Sequence, residues 1–191
     1  VTDCIHGKQD TPVHLRPSFP YERWEEYGRK LTEFAQYTQS MGVQVAYHHH
    51  MGTVIESEDD INHLMSYTGN EVGLLLDSGH LTFAGADPVK VVQRWIDRIN
   101  HVHCKDIRSD ILKDARNRNL SFLDSVLEGV FTVPGDGSID YPSIFKQLKE
   151  ADYSGWLVVE AEQDPAIANP LEFATLGFNN LKKFATDAKL V

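Results

Sequence analysis

Two rhythms of apolar and polar positions alternate along the chain. Trp24, Tyr27, Leu31, Phe34 and Thr38 recur every three or four residues, with Glu25, Glu26, Arg29, Lys30 and Glu33 around them. That spacing predicts an amphipathic helix over about 21–40, and Gly42 suits its C-terminal end. Val43-Gln44-Val45-Ala46-Tyr47-His48 predicts a strand. Ser57 with Asp60 opens a second helix to about Tyr67, with Ile61, Leu64 and Met65 inward. Val72-Gly73-Leu74-Leu75-Leu76-Asp77 is an unbroken apolar run ending on a carboxylate, the mark of a strand buried on both faces; the chain then turns on Gly79 and presents His80. Asp87 caps the next helix and Pro88 starts it, with Val91, Val92, Trp95 and Ile96 as its buried face. Ile99 to Cys104 predicts a strand, 142–151 a helix, and Trp156 to Glu160 a last strand. Asn169-Pro170 opens the final helix, with Phe173, Leu176, Phe178, Leu181 and Phe184 apolar. Residues 186–191 are expected to fray.

Three stretches stand outside this rhythm. Cys4-Ile5-His6-Gly7 reads as the close of a strand. Thr11 to Pro20 carries three prolines and predicts irregular chain. Residues 107–138 are long for a connection between a strand and its helix, which predicts a lid-like insertion. Strict alternation of strand and helix predicts a parallel α/β sheet within one domain, 1–191. The closed form of such a sheet is the (β/α)8 barrel of about 250 residues, with its site at the C-terminal strand ends. Four clear strands and the end of a fifth predict part of a barrel or a small doubly wound sheet.

A net charge of −10 argues against nucleic acid and anionic membrane as partners. No run approaches the roughly 18 apolar residues of a membrane span. The chain opens on Val1 with no visible signal peptide, which reads as a fragment, a processed chain or a chain without its N-terminal part. Cys4 and Cys104 lie far apart with no CxxC pattern, consistent with a reducing cytoplasm.

The four strands end on His48, Asp77, His103 and Glu160. In a parallel barrel these meet on one rim. Two imidazoles and two carboxylates suit Mn²⁺, Co²⁺, Zn²⁺ or Fe²⁺ better than Ca²⁺ or Mg²⁺. Spacing leaves choices open at three places. His48 and His50 share a face if the strand continues, with His49 pointing away. His101 and His103 share another, and His103 is nearer the strand end. Glu160 and Glu162 pose the same choice, with Glu160 closing the apolar run. Gly135-Asp136-Gly137 lacks the glycine spacing and lysine of a phosphate cradle and predicts a tight turn before a helix. No Gly-x-Ser-x-Gly elbow is present, and Cys104 carries no nucleophile signature.

Four pieces, Leu76-Asp77-x-x-His80, His103-x-x-Asp106, Gly135-Asp136-Gly137-x-Ile139-Asp140-Tyr141 and Gly155-Trp156-x-x-Val159-Glu160, resemble the xylose isomerase-like barrel superfamily of sugar isomerases, epimerases and related metalloenzymes. Within it, Tyr47-His48-His49-His50-Met51-Gly52-Thr53, Phe131-Thr132-Val133-Pro134-Gly135-Asp136-Gly137 and Val159-Glu160-Ala161-Glu162-Gln163-Asp164-Pro165 with Asn169-Pro170 resemble the inosose dehydratases. The resemblance covers nearly the whole chain. It implies the C-terminal portion of a barrel, about four to five β/α units, without the first strands. It implies a metal-dependent lyase that removes water from scyllo-inosose, a small cyclic polyol ketone of myo-inositol catabolism. The metal set carried over is Asp77, His103 and Glu160. Related epimerases place a glutamate where this chain has His48, so His48 is inferred as the fourth ligand. Mn²⁺ or Co²⁺ is the expected metal, with Zn²⁺ or Fe²⁺ as substitutes and glutathione as a further cofactor candidate. His50 and His80 are the acid–base candidates, and Lys105 and Glu162 the candidates for contacts to substrate hydroxyls. A sugar isomerase or epimerase of the same superfamily is the alternative, and a homo-oligomer stays open.

Overall fold

The computed structural model describes residues 4–191. The expected strand at Cys4–Gly7 is absent. This segment is a turn, held where the Ile5 N–H donates to the Gly52 carbonyl at 2.8 Å, and whatever precedes Cys4 lies outside the described residues. Residues 11–20 are irregular apart from a 3-10 turn at Val13–Leu15.

Helix α1 (Trp24–Ser40) leads into β1 (Val45–His48). Helix α2 (Glu58–Tyr67) opens with the capping box that Ser57 and Asp60 predict, satisfying two end N–H groups reciprocally. Strand β2 (Val72–Asp77) is buried at all six positions and runs without a break into α3 (Ser78–Phe83). The sequence reading had only a glycine turn there. The helix forms because the Asp77 carboxylate accepts the His80 N–H at 2.9 Å and so caps it. Helix α4 (Pro88–Trp95) and β3 (Ile99–Cys104) follow.

Residues 107–138 hold regular structure of their own. Strand β4 (Asp106–Ile107) pairs antiparallel with β5 (Phe131–Thr132), and between them lie α5 (Ser109–Asn117) and α6 (Phe122–Leu127). Phe83, Ile107, Leu112, Phe122, Val126 and Phe131 form a second apolar cluster beneath them. Helix α7 (Tyr141–Glu150), β6 (Trp156–Val159) and α8 (Pro170–Asp187) complete the chain. The end does not simply fray: the Lys189 and Leu190 N–H groups donate to Thr186 and Ala185 carbonyls and close the last turn.

The main sheet has the order β1-β2-β3-β6, every pair parallel. Its outer face carries Tyr47, Val72, Leu74, Leu76, Val102 and Cys104 into the core beneath Ile61, Leu64, Val91, Phe145 and Leu181. Side chains alternate along a strand, so the residue beside each core position at the strand end faces the other way. His48 follows Tyr47, Asp77 follows Leu76, His103 precedes Cys104 and Glu160 follows Val159. All four therefore leave the core on the inner face.

Candidate metal centre

Register brings these residues to one rim. Asp77 lies directly opposite His103 in the β2–β3 pair. Past the end of β6, the Glu160 N–H donates to the Cys104 carbonyl at 3.3 Å, which carries the glutamate alongside His103. His48 Nε2 lies 3.5 Å and His103 Nδ1 3.6 Å from Asp77 Oδ2. His103 Nδ1 also lies 2.6 Å from Glu160 Oε2, off the direction that an N–H bond requires. Asp77, His103 and Glu160 offer ligand atoms within 4.8 Å of one another, and His48 joins them through Asp77.

Seven buried side-chain polar atoms lack a hydrogen-bond partner among the described residues. Four of them are His48 Nε2, Asp77 Oδ2, His103 Nδ1 and Glu160 Oε2. An uncompensated orphan costs roughly 1–3 kcal/mol; the ion pairs among these groups and with Lys105 offset part of that. Three of these atoms, on Asp77, His103 and Glu160, share one point and His48 Nε2 adjoins them through Asp77; two nitrogens and two oxygens fit a divalent first-row cation. Of the alternatives left open by spacing, His48, His103 and Glu160 stand in this group. His50 and Glu162 stand in a second one with His80, again within 4.8 Å of one another. His101 enters neither.

Lys105 separates the two groups. It is fully buried, and its ammonium lies 2.7 Å from Glu162 Oε2, 3.0 Å from His80 Nε2, 3.4 Å from Glu160 Oε2 and 3.5 Å from Asp77 Oδ2. Burial opposes its charge, but the facing carboxylates outweigh burial and raise its pKa. Burial likewise opposes the Asp77 carboxylate. The cations around it, Lys105 foremost because buried His80 is held neutral, keep Asp77 well below the usual carboxylate range. Burial lowers His50 to about 4. Its Nδ1 donates to the Met51 carbonyl at 2.8 Å, so its Nε2 lone pair faces Glu162. Burial works against a charged His103 too, but Asp77 and Glu160 prevail and raise it to about 9.

Several positions that shape this rim have no signal in spacing. His49 points away from the rim, as alternation predicts, yet it is fully buried and its Nε2 accepts the Asp77 N–H at 3.2 Å. The Ser78 hydroxyl binds both the N–H and the carbonyl of Lys105, at 3.2 and 2.9 Å, and meets the buried Tyr141 hydroxyl at 3.1 Å. A Cβ on Gly79 would lie 2.6 Å from Lys105 Cγ, so the glycine makes room for the lysine stem. The Phe131 ring centroid lies 5.2 Å from the ammonium, and the Phe122 ring packs on His50 and His80. Asp106 faces four backbone N–H groups, at Ile107, Gly135, Gly137 and Ile139, and ties the Gly135-Asp136-Gly137 turn to β4. That turn is structural, as expected.

The family model described as a xylose isomerase-like TIM barrel matches residues 3–182. The chain is 54% identical over 189 residues to the rhizopine catabolism protein MocC of Rhizobium meliloti, covering 97% of this chain and 58% of that protein. It is 46% identical over 184 residues to an inosose dehydratase of Clostridium botulinum (strain Alaska E43 / Type E3), covering 95% and 62%. The chain thus spans about three fifths of the length of these curated relatives. Among solved structures it is similar to the IOLI protein with a bound zinc atom, with a TM-score of 0.61, 19% identity and coverage of 90% of this chain and 58% of that one. At that identity the likeness concerns the fold.

Proposed function

The chain belongs to the xylose isomerase-like TIM barrel family, and from that premise we propose that it carries the catalytic rim of a metal-dependent hydro-lyase acting on scyllo-inosose. The observation that carries the proposal is the convergence of four orphaned buried ligand atoms on His48, Asp77, His103 and Glu160. The 46% identity to an inosose dehydratase supplies the reaction. Mn²⁺ or Co²⁺ held by those four residues would supply a Lewis acid for the substrate's ketone oxygen.

The rest falls to the chain's own side chains. Loss of water breaks a C–H bond next to the ketone and a C–O bond one carbon further on. His50 Nε2, neutral and free on the open side of the site, takes the proton. The electron pair forms the new double bond, the C–O bond breaks, and the β-hydroxyl departs as water with the proton that His50 accepted, which returns His50 to its neutral form. The His80–Lys105 pair lies fully buried behind that hydroxyl, where the charge of the ammonium favours its departure. Glu162 orients the ammonium. Residues 107–138 wall one side through Phe122 and Phe131, as the lid of the site.

We also propose that the remaining strands of a (β/α)8 barrel lie outside these residues. The sheet ends on β1 and β6 with no further partner among the described residues, and Trp156 on β6 is 75% exposed. A bare parallel edge is a liability that closure removes. The 191 residues alone are expected to melt without a cooperative transition, and a longer form carrying the missing strands to melt cooperatively.

The test is turnover of scyllo-inosose by the complete protein, stripped of metal and resupplied with Mn²⁺ or Co²⁺, with and without glutathione. Metal-dependent formation of the dehydrated dione, lost in Asp77→Ala, supports the reading. Epimerisation or solvent exchange without dehydration would transfer the site to the isomerases. His50→Gln and His80→Ala are each expected to cost about 10²–10⁴ in rate. Near-normal turnover in both would overturn their roles.

A further inference from the structure

Three overlapping ligand-spaced groups share this rim, and a two-cation centre is the reading their spacing invites. One is Asp77, His103 and Glu160, a second is His50, His80 and Glu162, and the third, His48, Asp77 and His80, shares a residue with each of them. Their chemistry differs. In the first, Asp77 Oδ2, His103 Nδ1, Glu160 Oε2 and the associated His48 Nε2 make no hydrogen bond, and Lys105 stands off at 3.5 Å from Asp77 Oδ2 and 3.4 Å from Glu160 Oε2. In the second, His80 Nε2 and Glu162 Oε2 are both engaged by Lys105, at 3.0 and 2.7 Å.

We propose that the centre takes a single divalent cation, and that the Lys105 ammonium occupies the place of a second one as a built-in counter-cation. The inference rests on the metal centre proposed above and deepens it. Three carboxylates face the cavity: Asp77, Glu160 and Glu162. One ammonium and one divalent cation neutralise them. A second divalent cation would leave two positive charges beside buried Lys105 and the Phe122 and Phe131 rings, where uncompensated charge is costly.

The molecule is built to hold the lysine there. The Ser78 hydroxyl grips its backbone on both sides. Gly79 leaves space for its stem, and the Phe131 face lies beneath its charge. His80 offers it a neutral ring nitrogen. The whole Asp77-Ser78-Gly79-His80 turn is thereby organised around Lys105. A lysine tethered this way cannot diffuse out or be exchanged, unlike a second metal ion.

The experiment counts metal. The complete protein is stripped with chelator, dialysed against Co²⁺ or Mn²⁺ alone, and analysed for metal per chain, with the Co²⁺ visible spectrum recorded alongside. The native protein is expected to hold a single equivalent, and Lys105→Ala to gain a second one with a new Co²⁺ band. Glu162→Gln, which leaves the first group intact, is expected to keep the single equivalent and its spectrum. It keeps the idea falsifiable if Lys105→Ala fails to fold. Two equivalents in the native protein would overturn the role of Lys105 and leave the lyase standing. One equivalent in folded Lys105→Ala, or loss of the ion in Glu162→Gln, would overturn it as well. No metal in any form would remove the centre itself, and the proposed lyase with it.

Discussion

Asp106→Asn tests how the rim is braced. Oδ1 of Asp106 accepts the N–H groups of Ile107 and Ile139 at 2.8 and 3.0 Å, and Oδ2 accepts those of Gly135 and Gly137 at 2.9 and 3.2 Å. Burial pushes this carboxyl up, and the four donors oppose burial. No acceptor faces either oxygen in this set, so a proton on the group would have nothing to bond, and we take the group as ionised. Asparagine keeps the shape but offers one oxygen. Whichever way the amide sits, two of the four N–H groups then face an NH₂. Each loses a bond to a charged acceptor worth about 1.5–3 kcal/mol. Allowing for partial relaxation, the variant should lose about 3–5 kcal/mol, a large share of the 5–15 kcal/mol typical of a domain. Urea unfolding of the full-length protein measures the loss. Amide exchange at Gly135, Gly137 and Ile139 locates it. Metal content should be unchanged, because all four proposed ligands lie elsewhere. A loss below about 1 kcal/mol with unchanged protection at Gly135 and Gly137 would refute the clamp.

The other predictions concern titration and space. Burial raises Glu56 to about 7, although the Gly52 N–H and Arg16 oppose it. Its folded value lies above its unfolded one, so its contribution to stability is complete below about pH 4.5 and is lost as pH rises through about 7, by up to roughly 3 kcal/mol. Glu56→Gln should flatten the urea midpoint between about pH 5.5 and 8 relative to the native chain, and a native midpoint that rises over that range would contradict the sign. With His103 raised to about 9, a cation must displace its proton, so apparent Co²⁺ affinity should rise about tenfold per pH unit below that value. Calorimetry at three pH values checks this, and a flat profile would exclude His103 as a ligand. Gly79→Ala drives a methyl group to 2.6 Å from Lys105 Cγ, so it should cost about 1–3 kcal/mol and most of the turnover while leaving the metal bound; native-like kinetics would show that the lysine stem is free to move.

Much of this architecture was legible because its signals are local. The period-3.6 face of α1, the Ser57–Asp60 box and the apolar run of β2 each declare an element within a few residues. The rim was legible for a related reason. Alternation along a strand makes Asp77 the one inner-face carboxylate at the end of an otherwise apolar segment, and the same logic applied to His103 and Glu160. The three open choices were undecidable locally, because His48 and His50 satisfy the same period. What separates them is the neighbouring strand: Asp77 approaches His48, while Glu162 approaches His50, more than a hundred residues further along the chain. The same holds for Lys105. Nothing in His103-Cys104-Lys105-Asp106 says that a lysine there is fully buried, because burial of an ammonium is tolerable only when carboxylates converge on it, and these come from β2 and from the segment after β6. The glycine of Asp77-Ser78-Gly79-His80 read as a turn for the same reason. Its purpose is to admit a side chain from another strand, and a helix of six residues capped by its own strand's carboxylate is the result. Residue types pointed to the proposed chemistry of the site; only long-range pairing could say which charges compensate which, and in the proposed centre that compensation divides one cluster of candidate ligands into a place for a metal and a place for a lysine.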